Sequence, residues 1–168
     1  LVFVGDAGTT EPSDPTSRGG VEINSFWEIS ENWVFDFSAA KTNGYFRGLP
    51  SNADSITEAH EKVLAAGLTH VGNNGLTASL RVRHFSDAAL TKDEAAQKDG
   101  STLVNAGMSY EFNNWEIGVD VLNLLDVEND DIAYFFESQL TSETTGVEDI
   151  HFHPSNPRHI RLLLKYRF

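Results

Sequence analysis

The chain has 168 residues, room for one domain of ordinary size. Its 40% hydrophobic and 22% charged residues read as a folded protein, and its net charge of −13 argues against a nucleic-acid binder, which needs a basic face. The absence of Cys excludes disulfide scaffolds, thiolate metal sites and Cys nucleophiles. No run approaches the roughly 18 apolar residues of a membrane helix, but strands also cross bilayers, with a much weaker signal per segment.

The dominant period is two. Val21, Ile23, Ser25, Trp27 and Ile29 alternate with Glu22, Asn24, Phe26 and Glu28. After Ser30-Glu31-Asn32, Trp33, Phe35, Phe37 and Ala39 alternate with Val34, Asp36, Ser38 and Ala40. Such patterns define strands with one apolar face. A long polar link over 47–61 follows. Within 53–66 two readings compete. Ile56, Ala59, His60, Val63 and Leu64 fit a helical stripe, Ser55 and Glu58 have capping-box spacing, and Gly67 is placed to end a helix. The preferred reading is a loop carrying a helical turn, then a strand from about Val63.

Gly72-Asn73-Asn74-Gly75 is a tight turn, because Gly and Asn tolerate positive φ. It leads into Leu76, Ala78, Leu80 and Val82, alternating with Thr77, Ser79, Arg81 and Arg83. Residues 86–99 form another long link, in which 88–98 fits a short helix capped through Thr91 and Glu94. Val104, Ala106, Met108, Tyr110 and Phe112 share one face of the next strand. Asn113-Asn114 is tight, and Trp115, Ile117, Val119 and Val121 alternate with Glu116, Gly118 and Asp120. The longest link, 126–157, precedes a last strand in which Ile160, Leu162, Leu164, Tyr166 and Phe168 alternate with Arg161, Leu163, Lys165 and Arg167.

Short and long links alternate strictly, which gathers all tight turns at one end of an antiparallel up-and-down meander. Membrane β-barrels have this asymmetry. Trp27, Trp33, Tyr110, Phe112, Trp115, Tyr166 and Phe168 fall near the tight-turn end, and Tyr45, Phe46 and Phe85 near the other. Two aromatic belts flanking an apolar band suit a bilayer. The fold class is therefore all-β, a meander of about seven to eight strands forming part of a transmembrane barrel. The count is seven full strands plus a partial one at Leu1 to Val4.

The closing strand, with Ile160, Leu162, Leu164, Tyr166 and the terminal Phe168, resembles the C-terminal assembly signal of bacterial outer-membrane barrels. The rest of the chain resembles the last third of a TonB-dependent receptor. The pieces that carry this are Val4-Gly5-Asp6-Ala7-Gly8-Thr9-Thr10-Glu11, Ser17-Arg18-Gly19-Gly20-Val21-Glu22 and Ser101-Thr102-Leu103-Val104-Asn105-Ala106. Val121-Leu122-Asn123-Leu124-Leu125-Asp126 then resembles the end of the penultimate strand in these receptors. The resemblance covers essentially the whole chain. It implies residues 1–168 as the C-terminal portion of a receptor barrel in the bacterial outer membrane, without the plug domain, which takes up a scarce ligand: an iron-siderophore, vitamin or saccharide. The implied partners are outer-membrane lipid, the barrel-assembly machinery, a plug domain and the inner-membrane TonB complex. The last two are contacted by segments outside these 168 residues. A self-contained eight-stranded outer-membrane barrel, adhesive or structural, is the alternative, with a soluble β-barrel or sandwich behind it.

No cofactor is implied and no catalytic set stands out. His151 and His153, two apart on an extended segment, are the only pair with metal-ligand character. They lie in a link with eight Asp or Glu and no Lys or Arg. No third ligand is fixed by spacing, so a solvated acidic loop is the preferred reading. Tyr134, Phe135 and Phe136 in the same link fit either a ligand platform or an anchor onto the barrel rim. Glu22, Glu28, Asp36, Arg81, Arg83, Glu116, Asp120, Arg161, Lys165 and Arg167 share the polar faces, where mixed signs point to internal ion pairs or plug contacts.

Overall fold

A computed structural model describes residues 2–4 and 9–168. Among the described residues thirteen strands follow one another without a helix. Those before the wall are β1 (Val2–Val4) and β2 (Thr9–Glu11), paired only with each other. The wall begins with β3 (Thr16–Ser30), β4 (Trp33–Phe46), β5 (Lys62–Val71) and β6 (Leu76–Phe85). Next come β7 (Ala88–Ala89) and β8 (Gln97–Lys98), then β9 (Ser101–Phe112) and β10 (Trp115–Leu122). The chain closes with β11 (Asp130–Ser138), β12 (Val147–Pro154) and β13 (His159–Tyr166).

Seven strands form one antiparallel sheet in the order β13-β10-β9-β6-β5-β4-β3, so each strand of this sheet pairs with the next one of it along the chain, and the meander is confirmed. β3 and β13 are its edges. The expected partial strand at the start of the chain does not join this wall: β1 makes a separate two-stranded ladder with β2. Leu1 and the stretch Gly5, Asp6, Ala7 and Gly8 of the first receptor-like motif lie outside the described residues.

Register settles which side chains share a face. Ile160, Leu162, Leu164 and Tyr166 lie opposite Val121, Val119, Ile117 and Trp115, which lie opposite Ala106, Met108, Tyr110 and Phe112. The row continues through Leu80, Leu68, Phe35 and Trp27. This face is exposed: Leu162 is 83% and Trp27 64% accessible. The apolar side chains therefore do not form a core between layers. Near the tight turns Trp115 packs on Tyr166 at 4.7 Å and Trp33 on His70 at 4.7 Å, which gives the aromatic belt at that end. At the other end only Tyr45 stands on the apolar face. Phe46 and Phe85 follow outward-pointing neighbours and so project to the opposite side, where Phe46 is buried and Phe85 packs on His60.

The opposite face carries the charges. Asp36, Gly67 and Arg81 are cross-strand neighbours, and Arg81 reaches Asp36 at 3.1 Å over the glycine. A Cβ on Gly67 would stand 2.5 Å from Asp36 Oδ1 and 2.6 Å from Arg81 Nη1, so only glycine leaves this path open. Near the tight turns Lys165 meets Glu116 at 3.1 Å and Arg167 meets Glu111 at 2.8 Å. The expected internal ion pairs are thus present.

The structure also decides the two doubtful segments. Residues 62–71 are strand throughout. Ser55 bridges to Tyr45 and Glu58 takes a φ of 61°, so no helical turn forms there. Ser55 Oγ instead donates to Glu94. The helix expected over 88–98 is a small hairpin, β7 with β8. Leu90 and Ala96 are buried in one cluster; at six residues apart they would diverge on a helix but face each other across a hairpin.

Gly67→Ala is expected to cost about 1–3 kcal/mol in reversible unfolding, the range for forcing extra volume into a filled site. The same change in an Asp36→Ala background should cost clearly less, because the carboxylate it collides with is gone. Equal costs in both backgrounds would mean that Gly67 is not spacing this pair.

Candidate functional site

The three long links meet at one end of the sheet. Glu58 N donates to Ala89 O at 2.8 Å and Ser55 N to Lys92 O at 3.1 Å, tying 47–61 to the small hairpin. Lys92 Nζ sits 4.7 Å above the Phe46 ring and 3.4 Å from Asp14. Lys98 Nζ donates to Asp131 O at 2.8 Å, and Leu90, Ala96 and Ala133 form a small buried cluster with Phe135 against it, joining the same hairpin to β11. Burial pushes the Glu58 carboxyl up from its ordinary value.

Between the ends of β3 and β4 and these links lies a cleft of about 520 Å³. Arg18, Asn43, Ser55, His60, Asp87 and Gln97 are among its lining residues. His60 Nδ1 donates to Ser86 O at 2.5 Å. A second cavity of about 190 Å³ shares His60 and is lined by Glu58, Leu90, Lys98 and Tyr134 among others. A wall with donors, acceptors and both signs of charge suits a polar ligand held by many hydrogen bonds.

The link 126–157 is not irregular. Most of it is the hairpin of β11 with β12. Tyr134 lies opposite His151 and Phe136 opposite Asp149. The strand period divides the aromatic triplet: Tyr134 and Phe136 take one face and Phe135 the other, against Leu90 and Ala96. The Phe136 and His151 rings stack at 3.9 Å. His153 projects beside Ile132, with Nδ1 4.0 Å from Asp131. Among the described residues no three His, Asp or Glu side chains gather into a metal site. Ile160, Leu162, Leu164 and Tyr166 stand along the exposed apolar face of β13, and Phe168 packs edge-on against Tyr166 at 5.2 Å.

One device escaped the sequence. Asn123 and Asp126 both take positive φ, 51° and 56°, where the chain leaves β10. Asn123 is buried and its Nδ2 donates to Val127 O at 2.9 Å and Asn156 O at 3.2 Å, while its Oδ1 accepts from Val127 N at 3.0 Å. Its own N donates to Asn105 Oδ1 at 2.9 Å. Asp126 accepts from Arg158 N at 2.9 Å and Arg158 Nη2 at 3.3 Å. The two side chains therefore buckle both stems of the hairpin to the sheet. The Asn-Leu-Leu-Asp motif and the two Asx residues at a strand end were the available signal, since Asn and Asp tolerate the left-handed region.

No protein-family model matches the sequence, and no curated protein matches it. Solved structures do match. Against the ferric-catecholate import receptor Fiu from E. coli in its closed form, 97% of this chain and 22% of that one superpose with a TM-score of 0.71 at 18% identity. Against the ferric citrate transporter FecA in its unliganded form the TM-score is 0.69 at 16% identity, over 91% of this chain and 24% of that one. The ferric yersiniabactin uptake receptor FyuA from Yersinia pestis gives 0.67 at 14%, over 91% and 24%. The receptor-barrel fold that the sequence resemblance implies is the fold of this chain, which spans about a quarter or less of the length of these receptors.

Asn123→Ala should leave Val127 N and Asn156 O without their side-chain partner and cost about 1–3 kcal/mol. Amide exchange across 127–156 is expected to quicken while β9 and β10 stay protected. Uniform quickening of β9 and β10 along with the hairpin would contradict a local buckle.

Proposed function

We propose that this chain is the C-terminal wall of a TonB-dependent outer-membrane receptor, and that the whole protein takes up a scarce ligand such as an iron-siderophore, vitamin or saccharide. In this reading the apolar face of the sheet meets lipid and the charged face lines the lumen. Tight turns face the periplasm, and the interlocked long links face outward and gather ligand. The role is transport, not catalysis.

The observation that carries the reading is the character of the apolar face. Across all seven wall strands the registered residues of that face include no Asp or Glu, in a chain that holds 25 of them. A water-facing sheet in so acidic a protein has no reason to clear one face of carboxylates, whereas a lipid-facing one does. The folds of siderophore and ferric-complex receptors support the same assignment. The open edges at β3 and β13 support a wall completed by further strands, because unpaired backbone is not tolerated in lipid.

The same reading assigns the charged face to a plug domain and the closing strand, with Ile160, Leu162, Leu164, Tyr166 and Phe168, to the barrel-assembly machinery. The inner-membrane TonB complex acts through segments outside these residues. The mouth cleft is the preferred ligand surface of this chain, and Tyr134 lines the second cavity, which shares His60 with it. His151 and His153 are assigned to the acidic outer hairpin and not to a metal.

Leu162→Arg is the sharpest test of the lipid face. Near the bilayer midplane it should cost about 2–4 kcal/mol in refolding titrations with lipid vesicles. Leu163→Arg, which enters the charged face, should cost much less. Equal effects of the two substitutions would remove the membrane assignment.

A further inference from the structure

The apolar face has one charged place. Among the described residues its only cations are Lys41 on β4 and Lys62 on β5, and they are direct cross-strand partners. Thr42 N donates to Glu61 O at 2.8 Å, which makes the next pair up the hydrogen-bonded one. Lys41 and Lys62 thus form a non-hydrogen-bonded pair, whose Cα atoms approach to about 4.5 Å. Both side chains are exposed, and neither ammonium has a carboxylate oxygen within 4.0 Å among the described residues. Like charges directly opposite destabilise a sheet. By contrast Arg81, Lys92, Arg158, Lys165 and Arg167 each meet a carboxylate.

The surroundings define what would relieve this. One row toward the sheet centre the face is Ala39 and Leu64, so the lysine stems rise from an apolar band. Beside them His84 accompanies Leu64 in register and its Nδ1 lies 2.8 Å from Thr102 Oγ1, extending a polar rim to β9. Tyr45 stands above on the same face, and Lys62 borders the mouth cleft. Long amphipathic stems with charged heads at the edge of an apolar band are suited to an interface between hydrocarbon and anionic headgroups.

We propose that Lys41 and Lys62 form a binding site for the phosphate of an outer-leaflet lipid, its acyl chains lying on the apolar band beneath. The proposal rests on the barrel-wall reading. One phosphate placed between two ammonium groups converts a repulsive pair into two charge-assisted contacts, and His84 and Tyr45 supply further polar groups at headgroup depth.

The test uses the intact protein extracted from outer membranes in detergent, probed with bisphosphorylated lipid A, fully dephosphorylated lipid A and inorganic phosphate. Native mass spectrometry should show a retained adduct with the bisphosphorylated lipid and none with the dephosphorylated one. K41Q/K62Q should weaken the adduct by about tenfold, whereas K41R/K62R, which keeps both charges, should stay within about threefold. Heat-modifiable migration in gels reports folding of each variant. Equal retention by wild type and K41Q/K62Q overturns the site, as does displacement of the lipid by inorganic phosphate at equal concentration, which would mark a free-ion site. Wild type recovered in the membrane fraction but without adduct refutes the lipid site alone; wild type absent from that fraction refutes the barrel-wall reading beneath it.

Discussion

Everything in this structure depends on strict period-two alternation held in register across seven strands. A one-residue slip anywhere would carry a row of Arg, Lys, Asp and Glu onto the apolar face. The ladder is therefore specified by side-chain chemistry more than by the turns. Gly67 and Gly107 refine it. Each sits beneath a carboxylate that crosses it, Asp36 and Asp120, whose oxygens occupy the space a Cβ would need. The charged face is dense enough for these absences to matter, while the apolar face packs only against its own neighbours.

The same alternation explains what the sequence made legible. The wall strands were readable because each repeats a period of two over eight or more residues, and two of the three tight turns, Gly72-Asn73-Asn74-Gly75 and Asn113-Asn114, followed from Gly and Asn. Strand β5 was harder. Ala65, Ala66 and Gly67 give a weak alternation, and Ile56, Ala59 and Val63 happen to fall at helical spacing. What decides the matter is two long partners, β4 and β6, that need pairing on both sides. Tertiary demand outweighed local pattern.

The outer links were less legible, because their structure is set by contacts distant in sequence. Leu90 and Ala96 close a hairpin only because Ala133 and Phe135 arrive from another link to cover them. Ser55 and Glu94, each readable as a cap for its own helix, bond to each other across 39 residues. His151 stacks on Phe136, a contact its spacing from His153 did not announce. The Asn123 and Asp126 buckle had a sequence signal but no local meaning until Asn156 and Arg158 returned to it. The cleft at the mouth is likewise assembled from four separate stretches, and no motif announces it.

The central claim is that the apolar face of the sheet contacts hydrocarbon. The chain has no Cys, so single cysteines introduced into it carry a spin label without background from its own residues. Labels placed in turn at 116–121 along β10, in the intact protein reconstituted into bilayers, report collision with oxygen, which partitions into lipid, and with a water-soluble nickel chelate. The account predicts a period of two, with oxygen collisions high at Ile117, Val119 and Val121 and low at Glu116, Gly118 and Asp120. High nickel collisions at Ile117, Val119 and Val121, or no alternation at all, would contradict it.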